Sequence, residues 1–466
     1  MTIYIEELEP LEDILHELVF EDEPSIFTEE HAIELVETAF HLMEEYMAEN
    51  PTAISEPDFH DILLEEIKEM FYVQMEDHIL ESNYVEDDMN DLLEDAFNIY
   101  VTTFHSDRVI EKNNEEDEPC SELNEEEIDI IKHKIQMLRE IPQPVQRTAE
   151  WYKFRWELIT ASNAWKAFES QSTINQLIYE KCQPLKDFSI ENGDDSSKMV
   201  NTNTTLHWGQ KYEPLSVMLY EHLYNSKVED FGCIQHPVYK FLGASPDGII
   251  IESNTGRYGR MLEIKNIVNR EITGIPKKEY WIQMQLQMEV CDLDKCDFLE
   301  TKFVEYPDYE SYRNDSALGL CNDTEFKSYT TTKDGNYKGI IIYFHTKEGK
   351  PYYEYMPLNC WAPDDVANWE DAMVHKYESE PYNYTFVKFL YWKLEKMSCV
   401  LVLRSRDWFV KNVGQLEKVW KTIEQERITG YEHRAPVKRE KKEQSAKYST
   451  NDSNKDTCFL KVIKLD

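Results

Sequence analysis

Asp247, Glu263 and Lys265 are the residues whose types and spacing point most directly to chemistry. They lie in the stretch Gly243 to Asn266, which reads GASPDGIIIESNTGRYGRMLEIKN. The pattern predicts two short strands joined by a loop. Asp247 sits in the tight turn SPDG, immediately before the apolar run GIII, and MLEIK forms the second strand. Side chains alternate along a strand, so Glu263 and Lys265 share one face while Leu262 and Ile264 share the other. Two carboxylates offer hard oxygen donors of the kind Mg²⁺ takes together with water and substrate phosphate. An ammonium beside them can hold a nucleophilic water or the charge that develops on a phosphate. These ions are embedded in apolar sequence, where unpaired charges are costly, so they are expected to meet partners. This is the constellation a metal-dependent phosphodiesterase requires.

The chain that must position them has 466 residues, enough for two or three domains. Its hydrophobic content of 41% and aromatic content of 12% support globular cores. No apolar run is long enough to span a bilayer, and the acidic N-terminus lacks the basic segment of a signal peptide, so no membrane partner is expected. Nine cysteines without a Cys-x-x-Cys pair suggest an intracellular, reducing compartment. The net charge of −42 is unevenly spread: residues 1–140 hold 43 acidic and 6 basic residues, and the remainder is close to balanced. The acidity is therefore local and does not exclude nucleic-acid binding by the rest.

Residues 1–110 read as an acidic helical domain of four or five helices. Ile33, Val36, Phe40, Met43 and Met47 recur near a 3.6 period, and Glu23-Pro24-Ser25 and Asn50-Pro51 break the pattern. Residues 111–143 read as an acidic linker and a helix over Glu125–Leu138. A different composition, richer in Trp and Tyr, begins near Pro144. There a helix around Glu150–Trp156 precedes Thr160 and Ser162, either of which suits an N-cap. Pro214 fits the first turn of a helix, which puts Glu213 at its start. EYWIQMQLQMEVC forms a helix in which Gln283 and Gln287 share a face and Gln285 points elsewhere. Residues 307–337 read as a loop-like insertion, KGIIIYFHT and PYYEYMPL as a hairpin, and the segment from Phe386 to Arg427 as mostly helical. Residues 429–466 form a basic tail, expected to be disordered.

The order of motifs resembles the lambda exonuclease family, in particular the YqaJ-type viral recombinase nucleases of the PD-(D/E)xK superfamily. Five motifs carry the likeness: EWYKFRWELITAS, WGQKYE, GASPDG, LEIK and the helix with Gln283 and Gln285. They cover residues 144–306 of a nuclease domain taken here as 144–428. The resemblance implies an α+β fold, with a PD-(D/E)xK nuclease core (a central mixed β-sheet flanked by helices) preceded by the acidic all-α domain.

The resemblance also implies roles. Asp247 and Glu263 would ligate the metal with the backbone carbonyl of Ile264, and Glu213 would hold it directly or through water. Lys265 would orient the attacking water, and Gln283 or Gln285 would hydrogen-bond near that lysine. Arg155 and Ser162 would grip the 5′-phosphate of a DNA end. The implied activity is a Mg²⁺-dependent DNA exonuclease working 5′ to 3′ from duplex ends in recombination or repair, with Mn²⁺ as a substitute ion. The alternatives are a structure-specific endonuclease on the same fold, or a nucleic-acid-binding adaptor with a vestigial site. The implied partners are double-stranded DNA ends and a single-strand annealing protein. Toroidal oligomers occur in the family, but the added N-terminal domain departs from its pattern. A large DNA virus would be a fitting source, and its replication site the fitting location.

Overall fold

The computed structural model describes residues 27–79, 83–104, 123–146, 148–185, 201–202, 204–253, 256–321 and 324–436. The N-terminal patterns form helices α1 (Glu29–Glu49), α2 (Phe59–Ile79) and α3 (Asn83–Phe104). Thr28 caps α1 by accepting from the His31 N–H, and the helix stops at Asn50, before the proline ring. Val36, Phe40, Met43 and Met47 of the predicted stripe are buried, while Ile33 is half-buried. The break expected at Glu23-Pro24-Ser25 lies outside the described residues.

These helices do not close a core of their own. Their buried side chains run without interruption into Trp281, Trp408 and Phe409 of the C-terminal part. Polar contacts cross the same boundary: Asn412 Nδ2 donates to the Pro51 carbonyl at 3.0 Å, and Lys278 pairs with Glu56 at 2.7 Å. Helix α4 (Glu125–Glu140) opens with a reciprocal capping box between Asn124 and Glu127. It buries Ile135 and Leu138 on the core, where Arg139 forks onto Glu229.

The chain then runs through α5 (Ala149–Trp156), β1 (Ile159–Thr160), α6 (Ala161–Ala164), α7 (Gln171–Cys182) and α8 (Thr205–Leu223). Strands β2 (Ser226–Glu229), β3 (Ile234–Gln235), β4 (Leu242–Ala244), β5 (Gly248–Ser253) and β6 (Met261–Asn266) precede α9 (Lys278–Cys291) and β7 (Lys295–Glu305). The remainder comprises α10 (Tyr309–Asn314), β8 (Leu318–Cys321), β9 (Thr324–Lys327), β10 (Lys338–His345), β11 (Pro351–Tyr355), α11 (Pro363–Glu378), β12 (Thr385–Leu403) and α12 (Arg406–Thr429).

A seven-stranded sheet in the order β11-β10-β12-β7-β6-β5-β2 forms the centre. Only the β6–β7 pair is parallel in it, with Glu263 beside Phe298 and Lys265 beside Glu300. The fold is thus α+β, a mixed sheet with helices around it. Leu262 and Ile264 pack with Tyr220 of α8, which leaves Glu263 and Lys265 on the α9 face. The predicted alternation holds. Among the described residues, no helix is long and apolar enough to cross a membrane.

Three expectations are corrected. The segment 307–337 is built rather than loop-like: it holds α10 and the β8–β9 hairpin. The buried Lys338 ammonium fastens it by donating to the Tyr312 and Asp315 carbonyls at 2.7 and 2.6 Å and to Ser316 Oγ at 2.6 Å. Residues 385–403 form one 19-residue strand and only 406–429 are helical. Val400, Leu401 and Val402 are buried in succession, so both faces of this strand are covered near its end and its sequence there loses the strict alternation that marks a strand. Finally, Pro214 lies inside α8 rather than in its first turn. Of the expected tail, residues 437–466 lie outside the described residues.

Candidate active site

The SPDG turn and β6 define the site from the backbone up. The Asp247 N–H donates to the Leu262 carbonyl at 3.2 Å, and Asp247 Oδ2 accepts from the Ile264 N–H at 2.7 Å. The carboxylate is therefore aimed by the strand that carries its partners. Gly248 lets β2 come close, since a Cβ there would collide with Val228. Glu263 is fully buried, and its carboxylate accepts from Lys265 Nζ and, at 2.7 Å, from Gln287 Nε2. Gln287 also donates to the Ser245 carbonyl at 3.2 Å, which ties α9 to the turn before Asp247. Lys265 Nζ lies 4.8 Å from the centre of the Tyr280 ring and 3.4 Å from Gln283 Oε1.

Glu213 comes from the middle of α8, where Pro214 removes one helical donor. Two carbonyls at this disturbed turn are taken up from outside the helix: Asn266 Nδ2 donates to Gly209 O at 3.0 Å and Tyr355 OH to Lys211 O at 2.5 Å. Asn266 Oδ1 in turn accepts from Ser216 Oγ at 2.8 Å and Thr301 Oγ1 at 2.7 Å. One side chain thus binds the end of the Glu263–Lys265 strand to the helix of Glu213.

Charge is concentrated here. Burial pushes the Asp247 carboxyl well above its usual range, and the charges of Glu263 and Glu213 push the same way, opposed by Lys265 and the Ile264 N–H. Burial works against the charge of Lys265, but Glu263 and Asp247 outweigh it and hold the ammonium above the ordinary lysine range. Lys265 therefore serves as counter-charge to a cluster of carboxylates.

A cavity of about 210 Å³ opens beside the cluster, and Glu213, Asp247 and Gln283 line it together with Trp151, Arg155, Ser162 and Asp230. Arg155 lies 4.6 Å from the Trp151 ring centre, and the Trp151 indole N–H is buried without a hydrogen-bond partner. Thr160 leads α6, its N–H donating to Asn163 Oδ1 at 3.1 Å, and its hydroxyl lies 3.3 Å from that of Ser162. A buried indole N–H with nothing to donate to, beside a guanidinium, suits an anion.

Among the described residues, no three His, Cys, Asp or Glu side chains close around an ion by themselves. The donors nevertheless fit Mg²⁺, which binds through one or two carboxylates and completes its shell with water and phosphate. Asp247, Glu263 and the Ile264 carbonyl would supply protein ligands, with Glu213 close enough for its charge to act on Asp247. The strained charge of Asp247 is the feature a cation would relieve.

The sequence-predicted residues Glu213, Asp247, Glu263, Ile264, Lys265 and Gln283 converge, and Arg155 and Ser162 share their cavity. Gln285 does not join them: it donates to the Leu403 carbonyl at 2.9 Å and accepts from the Ser405 N–H at 2.6 Å, pinning α12 instead. The second glutamine at the site is Gln287, four residues after Gln283, as helical phase requires. Asn266 carried no sequence signal of its own, because an Asn after a strand reads as a turn residue.

Residues 150–294 match the YqaJ-like viral recombinase domain. An uncharacterized protein, R354, of Acanthamoeba polyphaga mimivirus is 30% identical over 311 residues, 62% of this chain; the match spans 54% of that relative's own length. The crystal structure of LHK-Exo in complex with dAMP aligns at a TM-score of 0.33 and 17% identity, covering 60% of this chain and 94% of that one. The alkaline exonuclease LHK-Exo from Laribacter hongkongensis aligns at 0.31 and 17% identity, covering 61% and 95%.

Proposed function

We propose that this chain is a nuclease that hydrolyses phosphodiester bonds from the ends of duplex DNA, dependent on Mg²⁺ and working 5′ to 3′. The observation that carries the reading is one cavity whose walls hold the Glu213 and Asp247 carboxylates together with the Arg155 guanidinium and the unpartnered Trp151 indole N–H. A scissile phosphate would meet the carboxylates and a terminal phosphate the guanidinium, both within the walls of one pocket.

Asp247, Glu263 and the Ile264 carbonyl would hold the cation, which when bound would supply charge neutralisation at the scissile phosphate and an activated water. Lys265 orients the nucleophile, and Gln283 fixes the lysine head. Gln287 holds Glu263 in place from behind. Arg155, Ser162 and the Trp151 indole N–H receive the terminal phosphate, so that a blunt or phosphorylated end enters and an internal site does not. The match to a viral recombinase domain supports a role in DNA recombination, with a single-strand annealing protein as the partner that takes the exposed strand.

Digestion of linear duplexes labelled at the 5′ or the 3′ end, with and without Mg²⁺, tests this. Release of the 5′ label first, only with the ion, is expected. Asp247→Asn should abolish it while DNA binding persists, because phosphate contacts elsewhere hold the DNA. Nicking of closed circular DNA at a comparable rate would replace the exonuclease with an endonuclease on the same site.

A further inference from the structure

Helix α5 carries Arg155 to the cavity, yet buries none of its residues completely. A helix of eight residues with no fully buried side chain is not placed by a hydrophobic stripe, so its position must come from polar contacts. Those contacts converge on its C-terminal end. Lys181 Nζ donates to the Arg155 carbonyl at 2.7 Å. Arg427 Nη2 donates to the Trp156 carbonyl at 2.7 Å, and the Arg427 guanidinium lies 3.4 Å over the Trp156 ring. The same guanidinium donates through Nε and Nη2 to the Lys181 carbonyl at 3.0 and 2.8 Å, at the end of α7. Trp156 Nε1 closes the set on the Gln183 carbonyl at 2.8 Å. The planar fork of an arginine is what lets one side chain stack on an indole and serve two helix ends together. Both ends also present the negative pole of a helix to it.

We infer that Arg427, near the end of α12 and far outside the matched domain, is a positioning residue that sets where Arg155 stands and hence how strongly a terminal phosphate is preferred. This rests on the terminal-phosphate reading of the cavity. Arg427 does not line the cavity, so its effect passes through α5.

The test uses the full chain with Arg427→Ala, Arg427→Lys, Arg155→Ala and the Arg155→Ala/Arg427→Ala pair. Hydrogen exchange without DNA comes first. In Arg427→Ala the amides of residues 155–158 should exchange about tenfold faster or more, with β5 and β6 unchanged, since the tie is local. Cleavage of linear duplexes bearing a 5′-phosphate or a 5′-hydroxyl comes second. The preference for phosphate should fall about tenfold, through KM rather than kcat, while hydroxyl ends are cut as before. Arg427→Lys should not restore it, and keeps the measurement possible if the alanine variant does not fold. The double variant should lose no more preference than Arg155→Ala alone, because both act on one contact. Unchanged exchange at 155–158, an unchanged phosphate preference, or additive losses in the double variant would overturn the proposal. A wild-type enzyme that cuts both ends alike would instead overturn the terminal-phosphate reading, and the proposal with it.

Discussion

Asn266 reaches back from the end of its strand to the carbonyl of Gly209, 3.0 Å away in the helix that carries Glu213. That carbonyl belongs to the turn disturbed by Pro214, and Ser216 and Thr301 saturate the other side of the same amide. One side chain therefore ties the helix of Glu213 directly to the end of the Glu263–Lys265 strand.

Replacing Asn266 by Ala leaves the Gly209 carbonyl and two hydroxyl groups with fewer partners in a buried setting, at a cost of about 2–3 kcal/mol. Thermal unfolding should register that cost. Turnover should fall further than in a control of equal stability loss, such as Leu219→Ala on the same helix, because the carboxylates move apart. Equal losses in the two variants would make Asn266 a packing residue only.

The glutamines of α9 should separate by phase. Gln287→Leu removes the donor to Glu263 and should lower kcat about ten- to a hundredfold, as loss of a group orienting a metal ligand does. Gln285→Leu frees the Leu403 carbonyl and the Ser405 N–H and should lower the melting temperature with kcat per folded molecule retained. Kinetics and melting curves on both variants check this. A Gln285 variant that folds normally and has lost turnover would reverse the assignment.

Ion binding should depend on pH. Burial and the neighbouring carboxylates make the Asp247 carboxyl keep its proton to higher pH than an ordinary aspartate does, and a cation must displace that proton. Without the ion the folded state binds more protons than the unfolded one above the usual carboxylate range, so this group's contribution to stability is full at low pH and lost as pH rises. Mg²⁺ should oppose that trend: at one fixed ion concentration its stabilisation should be larger at the higher of two pH values, because fewer protons compete for the site. Melting curves with Mg²⁺ and with EDTA at both values test it. Asp247→Asn should flatten both trends, and a variant that retains them would move the ion elsewhere.

The acidic helices should matter in two separable ways. Deleting residues 1–104 uncovers the core shared with Trp281, Trp408 and Phe409, so a sharp loss of solubility and stability is expected. Replacing exposed Glu37, Glu44 and Glu45 of α1 by Gln leaves that core intact. Affinity for nonspecific duplex should then rise at low salt, with the gain fading as the Debye length shrinks below about 8 Å. Fluorescence titrations across a salt series decide it: a constant affinity would limit these charges to solubility.

The strand pair of the candidate site was legible in the sequence because strand alternation and a tight turn act over a few residues. Asp247, Glu263 and Lys265 needed no distant contact to be placed. Gln287 was legible in principle from helical phase, although the motif pointed to Gln285. Residues 385–403 misled because a strand covered on both faces resembles a buried helix. Lys338, Asn266 and Arg427 were not legible, since each works on backbone carbonyls, and which carbonyls lack a partner is settled only after the chain has folded.

Helix α12 lies late in the chain, while Glu213, Asp247, Glu263 and Lys265 all precede residue 266. A ribosome therefore finishes the carboxylate cluster long before it delivers Arg427. Until then α5 lacks the Arg427 tie at its C-terminal end, and Trp281 lacks Trp408 against its edge. Under the proposed function, a product interrupted before residue 406 would hold the carboxylate cluster without the Arg427 contacts that settle α5. The order of synthesis thus puts the reactive cluster ahead of the piece that links it to selection, and a nascent or broken chain lacks that link.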